Sequence, residues 1–191
     1  MGVLGLQGDV LEHVRALGRV GARARIVRRE DDLDGLDGIV IPGGESTTIG
    51  KLLERFDLLG PLRKTIHDGL PALGTCAGMI LLASDIEGSD QPRLGLVDIA
   101  VRRNAFGTQV DSFDTDLVIP SIEGGPVSVS FIRAPIVTRT GDQVEILAKV
   151  DLGPVLVRQA HIVAAAFHPE VAADDRVHRW FLDDIVSRVA Q

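Results

Sequence analysis

The chain has 191 residues, 45% of them hydrophobic and 25% charged, a composition typical of a globular protein that buries roughly 70% of its unfolded surface. Its net charge of −7 argues against nucleic acid as the main partner, because binding a phosphate backbone requires clustered positive charge. We expect no membrane span, since no apolar run approaches the roughly 20 residues that cross a bilayer. The single cysteine excludes an internal disulfide, and the N-terminal residues do not match a signal peptide, so we expect a cytoplasmic protein with one domain over residues 1–191.

The first part of the chain alternates between strand and helix patterns. Residues 2–6, 24–27 and 38–42 are short apolar runs typical of buried strands. An Asp9-x-x-Glu12 pattern predicts the N-terminal cap of a helix between the first two runs. The inner face of this helix is predicted to carry Val10, Leu11, Val14 and Leu17. Alternating strands and helices indicate a parallel sheet with helices outside it.

The third strand runs into two glycines. Gly43 and Gly44 allow a ligand to approach bare backbone N–H groups closely, and Ser46 or Thr47 is predicted to cap the helix that follows. A plain strand-to-helix turn explains the pattern equally well. A phosphate cradle is disfavoured because no Gly-Lys-Ser/Thr motif follows.

A second turn of this kind contains the single cysteine. Residues 70–82 form an apolar run that is interrupted by Gly74-Thr75-Cys76-Ala77-Gly78, which indicates a strand, a sharp turn and a helix. Such a turn presents a nucleophile, although a lone cysteine in an apolar run is also typical of a packed core. Ligands of open parallel sheets bind at the carboxyl ends of the strands, where both Cys76 and the Gly43-Gly44 turn are expected.

The second half of the chain has mainly strand patterns. The predicted strands are residues 96–101, 117–119, 127–131, 136–137, 144–149, 155–159 and 162–167. Residues 102–113 are predicted to form a solvated loop, in which Arg103 is suited to hold a substrate carboxylate, and Arg133 follows a strand. A helix from Asp174 closes the chain.

The last predicted strand ends in His168-Pro169-Glu170. In an extended chain, residues two apart point the same way, so His168 and Glu170 can face one site. A structural histidine is the simpler interpretation in isolation. Together with Cys76 the two residues can form a triad, in which His168 accepts the thiol proton and Glu170 orients the imidazole. The backbone N–H groups of Gly44 and Ala77 would stabilise the oxyanion.

The two motifs around Cys76 and His168 resemble those of the class I (triad) glutamine amidotransferase family. Within it, further blocks resemble the glutaminase subunits of pyridoxal 5'-phosphate synthases. These blocks are Gly5-Leu6-Gln7-Gly8, Pro42-Gly43-Gly44-Glu45-Ser46-Thr47, Arg103-Asn104 with Phe106-Gly107, Gln109-Val110-Asp111-Ser112-Phe113, and Phe131-Ile132-Arg133-Ala134-Pro135. They run in order along nearly the whole chain, so the resemblance is specific.

The resemblance implies a flavodoxin-like three-layer α/β/α sandwich with a mostly parallel central sheet and additional antiparallel strands in the C-terminal half. It implies hydrolysis of L-glutamine to L-glutamate and ammonia through a glutamyl thioester, with no cofactor. We also expect no metal, since the histidines and the cysteine lack ligand spacing. The implied glutamine-binding positions are Gly43, Gly44, Glu45, Arg103, Ile132 and Arg133. The implied partner is a (β/α)₈ barrel synthase subunit, which receives the ammonia within a large hetero-oligomer and on which such glutaminases become fully active.

Three other interpretations remain open from the sequence. A glutaminase subunit of another pathway, such as imidazole glycerol phosphate synthase, would share the triad, but the Arg103-Asn104 and Phe131-to-Pro135 blocks argue against it. A DJ-1-like thiol protein usually carries histidine directly after the elbow cysteine, where this chain has Ala77. A non-catalytic regulatory subunit would not need the intact triad residues.

Overall fold

The computed structural model describes residues 1–103, 105, 112–172 and 174–189. Asn104 and residues 106–111, which carry part of the motif resemblance, lie outside the described residues. The strands, in chain order, are β1 (Gly2–Leu4), β2 (Arg25–Val27), β3 (Ile39–Ile41), β4 (Ala72–Thr75), β5 (Ala83–Ile86), β6 (Val97–Arg102), β7 (Ser112–Leu117), β8 (Val127–Ile132), β9 (Ile136–Thr140), β10 (Glu145–Val150), β11 (Gly153–Gln159) and β12 (Ile162–Ala165).

Seven of these strands form the central sheet, in the order β10-β11-β12-β4-β3-β1-β2. From β12 to β2 all neighbours are parallel, and β11 and β10 extend the sheet with antiparallel pairing. This confirms the predicted mostly parallel sheet with additional antiparallel strands. Strands β1, β3, β4 and β12 are buried along their whole length, which explains why their sequences are continuously apolar rather than alternating.

The remaining strands form two smaller sheets. Strand β6 pairs parallel to β5 and antiparallel to β9. Strands β7 and β8 form a separate antiparallel pair. The alternating pattern of β8 has the predicted effect, because Val127, Val129 and Phe131 are buried. The chain then leads from β8 through Ile132 and Arg133 towards the carboxyl ends of the central strands, where the candidate site lies.

Helices cover the central sheet. They are α1 (Val10–Arg19), a 3-10 turn (Glu30–Leu33), α2 (Ser46–Arg55), α3 (Leu59–His67), α4 (Ala77–Leu82), α5 (Arg176–Trp180), a π-helical segment (Phe181–Val186) and α6 (Ser187–Val189). Helix α1 contacts α5, whereas α2 contacts α3 and α4, so the helices form two groups. This is the predicted three-layer α/β/α arrangement. Within the part of the chain that the structure describes, no helix has the length and apolarity to cross a bilayer.

One predicted strand needs correction, and one strand was missed. The strand predicted at residues 117–119 is instead Ser112–Leu117, and Val118 is 66% exposed. Asp114 and Asp116 obscured this strand, because acidic residues are rare in strands and here lie on the partly exposed hairpin. Strand Ala83–Ile86 was not predicted, since its four residues directly follow helix α4 and include the polar Ser84 and Asp85.

The predicted inner face of α1 was also partly wrong. Leu11 is 53% exposed, whereas His13 is completely buried beside Ala16 and Leu17. Apolar residues favour the inner face of a helix, but a histidine can replace one when other side chains satisfy its ring nitrogens. The partners of His13 come from distant parts of the chain, so its local sequence does not reveal them.

Candidate active site

Cys76 lies at the sharp turn between β4 and α4. Its backbone adopts φ 47° and ψ −101°, a conformation that side-chain-bearing residues rarely adopt. The flanking glycines permit this turn, because a methyl group on Gly74 would lie 2.7 Å from the carbonyl carbon of Gly78. A methyl group on Gly78 would in turn overlap the carbonyl oxygen of Ile41. The predicted elbow is therefore present, and its glycines are required by backbone contact.

Pairing between two parallel strands brings the triad residues together. Strand β12 pairs with β4 in a register that places Ala165 opposite Thr75, so Cys76 and His168 follow neighbouring strand ends. The backbone N–H of His168 donates to the carbonyl of Ser130 over 2.8 Å, which fixes its position against β8.

His168 is held between a carboxylate and the thiol. Its Nδ1 lies 2.7 Å from Oε1 of Glu170, and both side chains are at least 95% buried. The Cys76 thiol donates to the carbonyl oxygen of Ile132 over 3.8 Å, and it lies close enough to His168 to help raise the pKa of this histidine. Thiol, imidazole and carboxylate thus lie in the order that a nucleophilic triad requires.

Burial and hydrogen bonding oppose each other at His168. Burial alone would lower the pKa of His168, but hydrogen bonds with Asp9, Cys76 and Glu170 outweigh it and raise this pKa to about 12. Burial raises the pKa of Glu170, and the hydrogen bond from His168 opposes that rise. The environment therefore favours a protonated imidazole next to the sulfur.

Asp9 is a second carboxylate at this imidazole. The sequence predicted that Asp9 would cap α1, and it does occupy the N-cap position, but its side chain makes no capping hydrogen bond. Its Oδ2 lies 3.4 Å from Nδ1 of His168 instead. Asp9, His168 and Glu170 offer ligand atoms within 4.8 Å of one another. The 2.7 Å between Nδ1 of His168 and Oε1 of Glu170 is a hydrogen-bond distance, which leaves no room for an ion between these two atoms.

The glycine turn packs directly against the triad. A methyl group on Gly43 would lie 2.9 Å from Nδ1 of His168 and still nearer to its Cε1 atom. Gly44 has φ 150°, and a methyl group there would lie 2.7 Å from Oε1 of Gln7. Gly43 therefore contacts the histidine, whereas Gly44 lines the cleft in front of the sulfur. Ala77, the other residue assigned to the oxyanion site, is the first residue of α4 and is 1% exposed.

Glu45 has a structural partner that the sequence did not reveal. Neither Ser46 nor Thr47 caps α2; the carboxylate of Glu45 does so by accepting from the backbone N–H groups of Thr47 and Thr48 over 3.0 and 2.7 Å. Burial opposes ionisation, but the hydrogen bonds from Thr48 and Thr47 prevail and lower the pKa of the Glu45 carboxyl to about 2. Its backbone N–H donates to Oε1 of Gln7 over 2.9 Å. Glu45 lines the cleft, but its carboxylate is used to cap helix α2.

Arg103 is anchored from two sides. Its guanidinium donates to Oγ1 of Thr47 over 3.2 Å and to Oε1 of Gln91 over 3.1 Å. The same Gln91 oxygen also accepts from the hydroxyl groups of Ser46 and Thr47. Gln91 was not singled out from the sequence, where it lies in a predicted surface loop. It is 7% exposed, so this loop segment is part of the wall that positions Arg103.

The triad and the arginines surround one cleft of about 500 Å³. Its lining residues are Asp9, Gly44, Glu45, Ser46, Cys76, Ile80, Arg103, Ile132, Arg133 and His168. Five of the six predicted glutamine-binding residues are among them, and Gly43 lies behind the His168 ring. Arg133 has a positive φ of 46°, which turns the chain at the cleft mouth. The cleft thus combines a thiol, an imidazole and cationic groups suited to a carboxylate.

Comparison with known proteins agrees with this arrangement. Residues 3–187 match the model of the SNO glutamine amidotransferase family. The chain belongs to this family. It is 56% identical over 189 residues to a protein from Frankia casuarinae named pyridoxal 5'-phosphate synthase subunit PdxT, covering 98% of this chain and 95% of that protein. A protein of the same name from Parafrankia sp. is 57% identical over 191 residues, covering 99% and 94%.

A solved structure described as a glutamine amidotransferase has the same fold. It superposes with a TM-score of 0.90 at 49% sequence identity, covering 97% of this chain and 98% of that chain. The family predicted from the Cys76 and His168 motifs is therefore confirmed, and so is the flavodoxin-like fold class.

Proposed function

We propose that this chain is the glutaminase subunit of a pyridoxal 5'-phosphate synthase and that it hydrolyses L-glutamine to L-glutamate and ammonia. The observation that carries the proposal is the cleft in which Cys76, His168 and Arg103 lie together. Membership of a glutamine amidotransferase family and the names of the relatives support the same reaction.

In the proposed reaction, the Cys76 thiolate attacks the side-chain amide carbon of glutamine while His168 carries the thiol proton. The tetrahedral oxyanion is stabilised by the backbone N–H groups of Gly44 and Ala77, each donor contributing about 10²- to 10³-fold in rate. His168 then protonates the leaving nitrogen, so ammonia departs and a glutamyl thioester remains. Water, deprotonated by His168, hydrolyses the thioester, and the proton returns to sulfur. Glu170 orients the imidazole throughout.

Substrate orientation in this proposal depends on the two arginines that line the cleft. The α-carboxylate of glutamine would be bound by Arg103 and Arg133, because a guanidinium binds a carboxylate through paired, charge-assisted hydrogen bonds. Ile132, Glu45 and the Gly43-Gly44 turn would complete the glutamine site. A cleft of about 500 Å³ accommodates one amino acid and leaves space for water.

The ammonia would pass to the barrel subunit of the synthase. Ammonia released into water at neutral pH is protonated and loses its nucleophilicity, so a partner that takes it directly keeps it reactive. We place this reaction in the cytoplasm, where the single cysteine remains a thiol.

The test is a glutaminase assay of the chain alone and mixed with a pyridoxal phosphate synthase barrel from the same organism. With [amide-¹⁵N]glutamine we expect faster glutamate release in the mixture and ¹⁵N in the pyridoxal phosphate formed. Free ammonium supplied to the barrel alone is the control, since it should support synthesis without this chain. Absence of glutamate release in both arms would contradict the proposed function.

A further inference from the structure

Two histidines lie completely buried behind the triad, and the reaction described above does not use them. His13 on α1 and His178 on α5 are both 0% exposed. Their rings lie 5.2 Å apart between centroids, with Nδ1 of His13 2.9 Å from Nε2 of His178. Buried imidazoles without polar partners are costly, so the orientation of this pair is set by the groups around it.

His13 lies directly against the carboxylate of the triad. Its Nε2 is 3.4 Å from Oε2 of Glu170 and 3.0 Å from Oγ1 of Thr75, the residue before the nucleophile. Among the described residues, Oε2 of Glu170 has no partner within hydrogen-bond geometry. The other carboxylate oxygen accepts from His168. His13 thus faces the one oxygen of the triad carboxylate that lacks a donor.

The arrangement favours one tautomer of His13. Burial, and then the neighbouring His178 and His168, lower the pKa of His13 well below its ordinary value, so its ring carries one proton at neutral pH. If that proton were on Nδ1, the Nε2 lone pair would face the Glu170 carboxylate, and His178 would carry its own proton on Nδ1. That Nδ1 atom is buried without a partner in the described part of the chain. A proton on Nε2 of both rings removes the repulsion at Glu170 and leaves only a lone pair, not an N–H group, unpaired at Nδ1 of His178.

We propose that His13 is a positioning residue of the triad, whose Nε2–H lies between Oγ1 of Thr75 and the free oxygen of Glu170 while its Nδ1 accepts from His178. The chain of donors then runs in one direction, from His178 through His13 to Glu170, and the carboxylate meets a donor from His168 on its other side. The 3.4 Å separation is longer than a hydrogen bond, so in this structure the Nε2–H acts on the carboxylate as a nearby dipole.

The proposed consequence is electrostatic, and in its effect on turnover it rests on the proposed function. A buried carboxylate that loses a donor becomes easier to protonate, and a neutral Glu170 no longer stabilises the imidazolium form of His168. The Cys76 thiolate would then lose the imidazolium that stabilises it. The groups that face this network from the surrounding elements are Asp9, Thr75, Asp175 and Arg19.

The first test is made on the wild-type protein and needs no turnover. We would measure the ring ¹⁵N chemical shifts of His13 in the wild-type protein, assigned by comparison with the His13→Gln variant. We expect a neutral ring with the proton on Nε2. A neutral ring with the proton on Nδ1 would overturn the proposal, whether or not the protein hydrolyses glutamine.

The second test compares His13→Gln, which keeps an amide donor near the position of Nε2, with His13→Leu, which keeps none. Because Cys76 is the only cysteine, iodoacetamide labelling reports on it alone. We expect the pH midpoint of labelling to rise by about one unit in the leucine variant and to remain near wild type in the glutamine variant. With the barrel present, kcat should fall about ten- to a hundredfold for leucine with KM within about twofold.

His161→Gln and His161→Leu are the matched controls, because His161 is partly buried and its Nε2 pairs with the carbonyl of Ile66 outside the cleft. Neither control should move the labelling midpoint. The positioning role would be overturned if kcat fell equally in both His13 variants. It would also be overturned if a folded His13→Leu variant kept the wild-type labelling midpoint and kcat. If His13→Leu does not fold, the ring tautomer measured in the first test decides whether the proposal holds. Failure of wild-type glutamine hydrolysis would instead count against the proposed function.

Discussion

The backbone N–H of Cys76 donates a 2.8 Å hydrogen bond to the carbonyl oxygen of Ala165, three residues before His168. Cys76 is thus tied to the strand whose continuation carries His168. Because this hydrogen bond involves only the main chain, the side chain of Cys76 can be changed without disturbing the strand pair.

Cys76→Ala should abolish glutamine hydrolysis, with a loss of at least about 10³-fold, because no other group in the cleft can form the thioester. The side chain is 7% exposed, so binding to the barrel should be unchanged. Glutamate release and co-elution with the barrel on gel filtration measure the two properties. More than a trace of residual turnover would show that Cys76 is not the nucleophile.

Gly43→Ala should lower kcat strongly, because the added methyl group would overlap the ring of His168 and displace it from Cys76. Gly18→Ala is the matched control, since a methyl group there meets nothing within 4 Å. That change lies in helix α1 and should stabilise the protein by up to about 1 kcal/mol. Turnover and thermal unfolding of both variants check this. Wild-type kcat in Gly43→Ala would show that the ring can move without cost.

Arg103→Ala should raise KM for glutamine about tenfold or more with a smaller change in kcat, since it removes a charged hydrogen-bond donor to the substrate. Gln91→Leu should raise KM less, because Arg103 would lose one of its two anchors. The control is Arg102→Ala, whose guanidinium pairs with Glu87 on the surface. Steady-state kinetics distinguish the three variants. An unchanged KM in Arg103→Ala would indicate a structural role only.

Acid should destabilise the protein partly through His178. Burial, opposed by Asp175 and aided by Arg19, lowers its pKa to about 4. The unfolded chain therefore takes up a proton near pH 6.5 that the folded chain does not. The contribution of His178 to the free energy of unfolding is fully present above that pH. It falls by about 1.4 kcal/mol per pH unit as the pH drops towards 4.

Urea unfolding from pH 7 to pH 4.5 measures this slope. His178→Leu should show a shallower dependence than wild type, whereas His67→Gln should not, because the His67 side chain is 77% exposed. Parallel slopes in wild type and His178→Leu would contradict the assignment.

The sequence predicted the features that depend on local backbone chemistry. The elbow at Cys76 and the buried strands could be recognised because the glycine placement is typical of a tight turn and the continuous apolar runs are typical of strands covered on both faces. His168 and Glu170 could be paired because they lie two residues apart in extended chain.

Features that depend on distant contacts were harder to predict. Glu45 caps α2 instead of Ser46 or Thr47, and the carboxylate of Asp9 faces His168 instead of its own helix. Gln91 and His13 are polar residues whose burial depends on partners that only the fold brings together. The roles of the individual site residues, and the single domain, remain predictions.

At the elbow, strand β3, helix α4 and strand β4 touch through bare main chain, because neither Gly74 nor Gly78 leaves space for a methyl group. For protein engineering, this means that the side chain at Cys76 can be exchanged far more readily than the glycines on either side of it. A library that installs serine or selenocysteine at Cys76 while keeping both glycines should yield folded proteins. One that randomises the pentapeptide should yield almost none.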